Sequence, residues 1–247
     1  MCLIVFHWQP GSDLPLQVWA NRDEFLARPA ATTAFWPEAP ELLAGRDLSA
    51  GGTWMGVTRH GRFAALTNFR DPSAVTGSRS RGLLVADFLR GSDSPEAYAR
   101  GIEAVSGEYG GFSLLVSDAV SLWYVGSRDR AARAVTPGWH GLSNAELDRP
   151  WPKLRRLLAG AQALPADAEP GHSLDLLVDT TPAADDELPD TGVGQTMERL
   201  LSPICIRTPA YGTRNSTWLR LGGEEIIWQE LDHNIGERRD FRFPRLY

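Results

Sequence analysis

Short apolar runs separated by turn residues recur along this chain, and they restrict its fold more than any other feature of the sequence. Residues 3–6 read Leu-Ile-Val-Phe, a β-branched and aromatic composition that is typical of a buried strand. A cluster of turn residues occupies positions 10–13, and residues 16–20 then alternate as a second strand does. The first 20 residues therefore predict an antiparallel β-hairpin.

The rest of the chain continues this pattern, with helices between groups of strands. Further hairpins are predicted from residues 53–58 with 63–68, 112–116 with 122–125 and 213–221 with 225–231, and one more strand from 139–142. Helices are predicted over 82–90, over 95–105 with Ser94 as its N-cap, and over 152–158 and 173–178. The proline- and alanine-rich stretch 25–52 is predicted to be a long loop, and 182–194 an acidic loop. This order indicates an α+β fold in one domain over residues 1–247, since no repeat or low-complexity linker interrupts it.

Composition and charge argue against several classes of function. The formal net charge is -6 and the pI about 5.4, so no nucleic-acid partner is expected, because such binding needs a basic surface. Cys2 and Cys205 do not make a disulfide framework, and a reducing cytoplasm is the expected location. Neither cysteine has a second one nearby and the histidines are scattered, so no metal and no cofactor are expected. No apolar run is long enough for a signal peptide or a membrane span.

The first hairpin brings the start of the chain back to a polar tetrapeptide. If its turn centres near residues 11 and 12, antiparallel pairing places Cys2 opposite Asn21 or Arg22. A cationic arginine and the anionic Asp23 beside a thiol can set its ionisation and orient its neighbours. We therefore expect Arg22 and the terminal ammonium group to lower the pKa of Cys2, whereas the apolar, strand-like run 203–206 disfavours a thiolate at Cys205.

The second hairpin predicts a similar convergence at one of its ends. With its turn at residues 60–61, Asn68 comes opposite Thr53, close to the glycine pair at 51–52. A pair of glycines permits close approach of another backbone. An asparagine amide at the end of a strand can donate a hydrogen bond to a developing oxyanion.

Each of these residues also has a purely structural interpretation, which the sequence leaves open. Cys2 fits a small buried apolar residue, and Arg22 with Asp23 fits an ion pair that closes a hairpin. The asparagines fit turn positions, and Arg214 fits a partner of an acidic residue on a neighbouring strand.

Several motifs, in order along the chain, resemble those of one family, the NRDE proteins, which are the relatives of Transport and Golgi organisation protein 2. The resemblance implies an N-terminal-nucleophile (Ntn) hydrolase-like fold of the cysteine type, a four-layer αββα sandwich of antiparallel sheets. Penicillin V acylase and bile-salt hydrolase are better-understood relatives. The motifs cover nearly the whole chain and are Met1-Cys2, Asn21-Arg22-Asp23-Glu24, Gly51-Gly52-Thr53-Trp54-Met55-Gly56, Leu66-Thr67-Asn68-Phe69-Arg70, Leu142-Ser143-Asn144 and Tyr211-Gly212-Thr213-Arg214.

The resemblance implies a catalytic centre at the start of the chain. Cys2 becomes the first residue after Met1 is removed, and its thiol attacks an amide carbonyl. Its own α-amine serves as the base, since the pKa of such an amine is ordinarily about 8. Asp23 matches the residue that orients this amine, and Arg22 matches an arginine beside the thiol.

Three further residues complete the site that the resemblance implies. Asn144, with Asn68 as a second candidate, matches a residue that binds the oxyanion. Arg214 matches an arginine of the site that lies late in the sequence. The implied function is that of an amidohydrolase acting on a small acylated amide. The alternative is a non-catalytic carrier or chaperone that handles haem or an acyl-lipid such as acyl-CoA. In both cases the partner is a small-molecule ligand.

Overall fold

The first two strands form the predicted hairpin, and their pairing is the one that the sequence requires. In a computed structural model that describes residues 2–71, 77–128, 131–165 and 170–247, Cys2 pairs with Arg22 and Trp8 with Leu16. This register confirms the prediction that the polar tetrapeptide returns to the start of the chain.

The described residues form thirteen strands and five α-helices. In chain order they are β1 (Cys2–Trp8), β2 (Leu16–Phe25), β3 (Ala30–Trp36), β4 (Ala39–Asp47), β5 (Met55–Thr58), β6 (Phe63–Asn68), α1 (Arg81–Arg90), α2 (Pro95–Val105), β7 (Phe112–Ser117), β8 (Leu122–Gly126), β9 (Arg133–Ala134), β10 (Gly138–Leu142), α3 (Pro152–Ala163), α4 (Pro170–Asp175), α5 (Gln195–Leu200), β11 (Tyr211–Leu221), β12 (Glu225–Asp232) and β13 (Glu237–Pro244).

Two antiparallel sheets contain all of these strands. The first sheet has six strands in the spatial order β10-β1-β2-β11-β12-β13, and the second has seven in the order β3-β4-β5-β6-β7-β8-β9. The second sheet is a continuous meander, whereas the first brings the amino-terminal hairpin between strands from the last half of the chain. The two strands that carry the candidate site, β1 and β2, are therefore interior strands with partners on both sides.

Three apolar clusters join the sheets and helices into four layers. One cluster lies between the sheets, where Ile4 and Val18 of the first sheet pack with Val57 and Leu115 of the second. A second cluster packs α1 and α2 on the outer face of the seven-stranded sheet. A third packs α3 and α4 on the outer face of the six-stranded sheet, beside residues such as Trp19. The layer order is αββα, which confirms the predicted α+β fold; the single domain over 1–247 stays a prediction.

The long loop predicted for residues 25–52 is wrong, because this stretch contains the paired strands β3 and β4. Its prolines lie at positions that strands tolerate: Pro29 precedes β3, Pro37 follows it, and Pro40 is the second residue of β4. The prediction also missed β13 and α5. The apolar run 203–206 is a bend and not a strand, although Cys205 within it is fully buried.

The second hairpin differs from its predicted register by one residue. Met55 pairs with Ala65, the ladder ends there, and Asn68 pairs with Phe112 of β7 instead of lying opposite Thr53. The expected close approach at the glycine pair is confirmed, because a Cβ added at Gly52 would lie 2.3 Å from the carbonyl carbon of Gly82 at the start of α1. Among the described helices, none combines the length and the apolar character needed to cross a membrane.

Candidate active site

The adjacent ends of β1 and β2 place Cys2 and Arg22 in the space between the two sheets. Ile4 and Ala20 belong to the cluster between the sheets, and side chains two residues apart on a strand share a face. Cys2 and Arg22 therefore face the same space, and they are only 5% and 8% exposed.

A pocket of about 130 Å³ opens beside these two residues. Four of the six residues predicted for the site line it, namely Cys2, Arg22, Asp23 and Asn68. Most of its other lining residues are polar or charged, and they include Glu24, Arg28, Asp47, Trp54, Arg81 and Glu230. Within the described parts of the chain, no group of three or more His, Cys, Asp and Glu side chains is arranged to hold a metal ion.

The arginines on the pocket wall differ in their partners. Arg28 forms an ion pair with Asp47 at 2.7 Å, and Arg22 lies 4.0 Å from Glu24. Arg81, the first residue of α1, donates to the carbonyl oxygen of Gly111 at 3.0 Å. No carboxylate of the described residues lies within 4.0 Å of Arg81, so its charge is available to an anionic group in the pocket.

The alternate residues of β2, Asn21 and Asp23, face the helix layer of the first sheet. Asn21 donates to the carbonyl oxygens of Leu177 and Ile204, both at 2.8 Å, and is completely buried. Because both bonds cross to other segments, Asn21 attaches the end of β2 to the layer that covers it. The first residue of the tetrapeptide is thus structural.

Asp23 is held from two sides at the same end of β2. The hydroxyl of Thr213 on β11 donates to its Oδ1 at 2.6 Å, and Nζ of Lys153 on α3 lies 3.8 Å from its Oδ2. Burial raises the pKa of Asp23, while Lys153, the amino terminus, Thr213 and Arg70 oppose this rise. Two neighbours on different elements thus fix the carboxyl group beside the start of the chain.

The predicted lowering of the thiol pKa is wrong. Burial raises the pKa of Cys2, and the positive charges of the amino terminus and of Arg22 only partly oppose it. The cost of placing a thiolate in a buried site therefore exceeds the benefit of its cationic neighbours. Burial also raises the pKa of Cys205, as expected. Cys2 rests as a thiol, and any reaction with an electrophile needs a base to take its proton.

Asn144 lies behind the pocket and is not one of the residues that line it. Its Nδ2 donates to the backbone carbonyl oxygen of Asn68 at 2.9 Å, and the backbone carbonyl oxygen of Asn144 accepts from the backbone N–H of Arg70 at 2.8 Å. Asn144 is fully buried, so it supports the segment that presents Asn68 to the pocket. Its role in an oxyanion hole stays a prediction.

Arg214 is the extra residue of a β-bulge. Thr213 pairs with Asp23 and Asn215 with Arg22, which leaves Arg214 without a place in the ladder. Its guanidinium donates to the carbonyl oxygen of Arg28 and, with the amide of Asn234 correctly oriented, to that side chain at 3.0 and 3.1 Å. Arg214 thus lies outside the lining of the pocket, and its catalytic role stays a prediction.

Sequence reasoning missed two buried titratable residues at this site, Lys153 and Glu230. Lys153 is the only lysine of the chain, since 24 of its 25 Lys and Arg residues are arginine. That imbalance is a signal that the sequence contains. Glu230 gives no such signal, because it is one of several polar residues of strand β12 and its position in the pocket depends on how the two sheets pack.

Comparison with known proteins places the chain among the relatives that its motifs suggest. It is 37% identical to a Transport and Golgi organization protein 2 homolog from Bos taurus, over 95% of this chain and 99% of that protein. A homolog from Homo sapiens is 35% identical over 98% of this chain and 99% of that protein.

One solved structure matches along nearly the whole length of both chains. A mutant conjugated bile acid hydrolase from Clostridium perfringens is 11% identical, covers 98% of this chain and 97% of its own, and has a TM-score of 0.45. Residues 1–227 match the family Transport and Golgi organisation 2, and the chain therefore belongs to that family.

Proposed function

We propose that this chain is a cysteine-type Ntn amidohydrolase that acts on a small acylated amide. The observation that carries the proposal is the position of Cys2 at the edge of a polar pocket, paired with Arg22 and followed across the hairpin by the buried Asp23. A nucleophile, a group to orient its base and a place for the substrate are thus found at one end of one hairpin.

The reaction begins with the thiol of Cys2 and its own α-amine, which is free once Met1 has been removed. Sγ attacks the amide carbonyl carbon while the amine takes the thiol proton, and the carbonyl oxygen becomes an oxyanion. In this proposal Asn68, which lines the pocket at the end of β6, donates to that oxyanion. The carbon–nitrogen bond then breaks, and the ammonium group gives its proton to the leaving amine.

Water completes the cycle. It attacks the thioester on Cys2, the amine again takes a proton, and the products are a carboxylic acid and the restored thiol. Because the pKa of Cys2 is raised, the transfer to the amine accompanies the attack, and the protein does not rely on a resting thiolate.

A ligand carrier is the second candidate, and the raised pKa of the buried thiol favours it, since a carrier needs no thiolate. Arginines such as Arg28 and Arg81 on the pocket wall suit the phosphates of acyl-CoA. Haem fits less well, because no histidine is among the described residues that line the pocket. In either function we propose a cytoplasmic location, in line with two cysteines that are both free and buried.

The experiment that tests the proposal compares two single-cysteine variants. The wild type, Cys2→Ala and Cys205→Ala, each tagged at the carboxyl end so that Met1 can be removed, are incubated with N-acyl amino acids, short acyl anilides and acyl-CoA esters. We expect hydrolysis by the wild type and Cys205→Ala, none by Cys2→Ala, and a transient acyl group on the Cys2 peptide.

Two results count against hydrolysis at Cys2. Turnover that persists in Cys2→Ala would remove the nucleophile from the mechanism. Tight binding of a ligand by all three proteins, with no turnover by any, would favour the carrier.

A further inference from the structure

The only lysine of this chain occupies a position that is unfavourable for a lysine. Lys153 is the second residue of α3, and it is 2% exposed. Burial disfavours its charge, and the first turn of a helix carries the positive end of the helix dipole. The 24 other Lys and Arg residues of the chain are all arginine, so the use of lysine is specific to this position.

Contacts within its own helix do not explain why a cation is buried here. Within the described parts of the chain, Nζ of Lys153 has no hydrogen-bond partner. Its ion pair is with Asp23, whose Oδ2 lies 3.8 Å away across the interface between α3 and the first sheet. The position of the charge is therefore explained by the site at the end of β2.

We propose that Lys153 is a positioning residue whose charge holds Asp23 as a carboxylate and keeps the α-amine of Cys2 in the neutral form that accepts the thiol proton. This inference rests on the proposed function, because it assigns Lys153 a part in preparing the base of that mechanism.

The charges around Lys153 support this role. The groups that act on it are Asp23 of β2, Arg70 after β6, Cys2 of β1 and Glu198 of α5, and Asp23 in turn acts on Tyr211 of β11.

These groups form two neutral pairs. Arg70 and Glu198 form a buried ion pair at 2.5 Å, and Lys153 with Asp23 forms the other. Protonation of the Cys2 amine adds a positive charge that neither pair compensates, so the buried site favours the neutral amine. Without Lys153, the carboxylate of Asp23 would attract a proton to the amine instead.

Lysine also differs from arginine in being able to lose its proton. The pKa of Lys153 is lowered to about 8, mainly because burial disfavours its charge; Asp23 opposes this lowering and Arg70 adds to it. An arginine at this position would stay charged at every pH at which the protein is folded. The state of Lys153 is thus linked to the state of Asp23, which gives a measurement that does not depend on activity.

Nuclear magnetic resonance can follow this linkage directly, because the chain has one lysine and two cysteines. In protein labelled with ¹³C-lysine, the single Cε signal reports Lys153. We expect it to titrate near pH 8, and we expect Asp23→Asn to lower its pKa further. A lysine signal that titrates at its ordinary value, or one that Asp23→Asn leaves unchanged, would overturn the proposal.

Labelling with ¹³C-cysteine reports the amine and thiol of Cys2, in a Cys205→Ala background. We expect Lys153→Met to raise the pKa of the Cys2 amine by about one unit or more, the usual size of the effect of a close charge. The matched control is Arg156→Met, which removes a cation from the same helix but from a side chain paired with Asp179. An equal shift in the control, or no shift in Lys153→Met, would overturn the proposal.

Two further measurements keep the test decisive. Should Lys153→Met fail to fold, the double variant Asp23→Asn with Lys153→Met replaces the ion pair by neutral groups, a change that folded proteins often tolerate. The pKa of its Cys2 amine should then be higher than in the single variant Asp23→Asn, which keeps the charge of Lys153. An intact mass that retains Met1 would overturn the role of Lys153, since no Cys2 amine would exist.

The outcomes separate this inference from the proposed function. If the pKa values of Lys153 and of the Cys2 amine both shift as expected but no substrate is hydrolysed, the result would count against the amidohydrolase alone. Hydrolysis that depends on Cys2, in a protein with neither shift, would count against the role of Lys153 alone.

Discussion

Asp23 and Glu230 are both buried carboxylic acids of the six-stranded sheet that border the pocket, and they differ in what surrounds them. Asp23 lies 3.8 Å from Lys153 and accepts a hydrogen bond from Thr213. Glu230 faces the space between the sheets, and its Oε2 accepts from the hydroxyls of Thr33 and Thr217, at 2.8 and 3.3 Å.

The two acids differ in whether a cation opposes the rise of their pKa. Burial raises the pKa of both, but no cation of the described residues forms an ion pair with Glu230, whose pKa reaches about 7. Hydroxyl groups compensate a buried carboxylate less well than a cation does. Asp23 thus has a cation beside it that opposes the rise of its pKa, whereas Glu230 has only neutral donors among the described residues and changes its protonation state near neutral pH.

The largest effect is expected from Asp23→Asn. The change keeps the shape of the side chain but removes the charge that we propose orients the Cys2 amine, so turnover should fall by about 10²–10⁴-fold, with little change in KM. The measurement is kcat and KM on whichever acylated amide the wild type hydrolyses.

The neighbouring carboxylate provides the control for Asp23→Asn. Glu24→Gln removes a charge from the pocket wall, so it should act mainly on KM. Equal losses of kcat in the two variants would end the special role of Asp23.

An intermediate effect is expected from Glu230→Gln, and it depends on pH. Because the pKa of Glu230 is raised in the folded protein, the fold binds this proton more tightly than the unfolded chain does. The corresponding stability is present below the ordinary pKa of glutamic acid and is lost as pH rises through about 7.

Glu230→Gln removes this loss. Relative to the wild type, we expect the variant to gain about 3 kcal/mol in free energy of unfolding between pH 4 and pH 8. Urea unfolding at the two pH values measures the gain, with Glu41→Gln at the surface as the control. A gain of the same size in the control, or none in Glu230→Gln, would contradict the comparison.

The smallest effect is expected from Thr33→Val, which sharpens the account of Glu230. The nearly isosteric change removes a donor to Oε2 that lowers the pKa of Glu230, so that pKa should rise by less than about one unit. The measurement is the difference in free energy of unfolding between Thr33→Val and the double variant Thr33→Val with Glu230→Gln, followed as a function of pH. This difference should change at a higher pH than the corresponding difference between the wild type and Glu230→Gln. A downward movement would mean that Thr33 does not stabilise the charged form.

The sequence predicted the elements whose signals are local. The hairpin of β1 and β2, the helix that begins after Ser94 and the convergence of Cys2 with Arg22 follow from alternation, capping and register alone. The strands β3 and β4 were missed because prolines at their ends suggested a loop. Only the pairing of these strands with each other and with β5 provides the contrary information.

Part of the site depends on packing that no local pattern encodes. The bulge at Arg214 and the closeness of Lys153 to Asp23 arise from how β11 and α3 meet the end of β2. Burial also decided the direction of the Cys2 pKa, against the prediction made from its charged neighbours. The identity of a nucleophile can thus be predicted from sequence more readily than its protonation state.

The proposed mechanism requires that the α-amine of Cys2 is free and serves as the base. Intact-mass measurement of the untagged or carboxyl-terminally tagged protein, followed by mapping of its first peptide, tests this requirement. The account predicts a protein that lacks Met1 and a first peptide that begins at Cys2 with an unmodified amino group. A protein that retains Met1 throughout would contradict it.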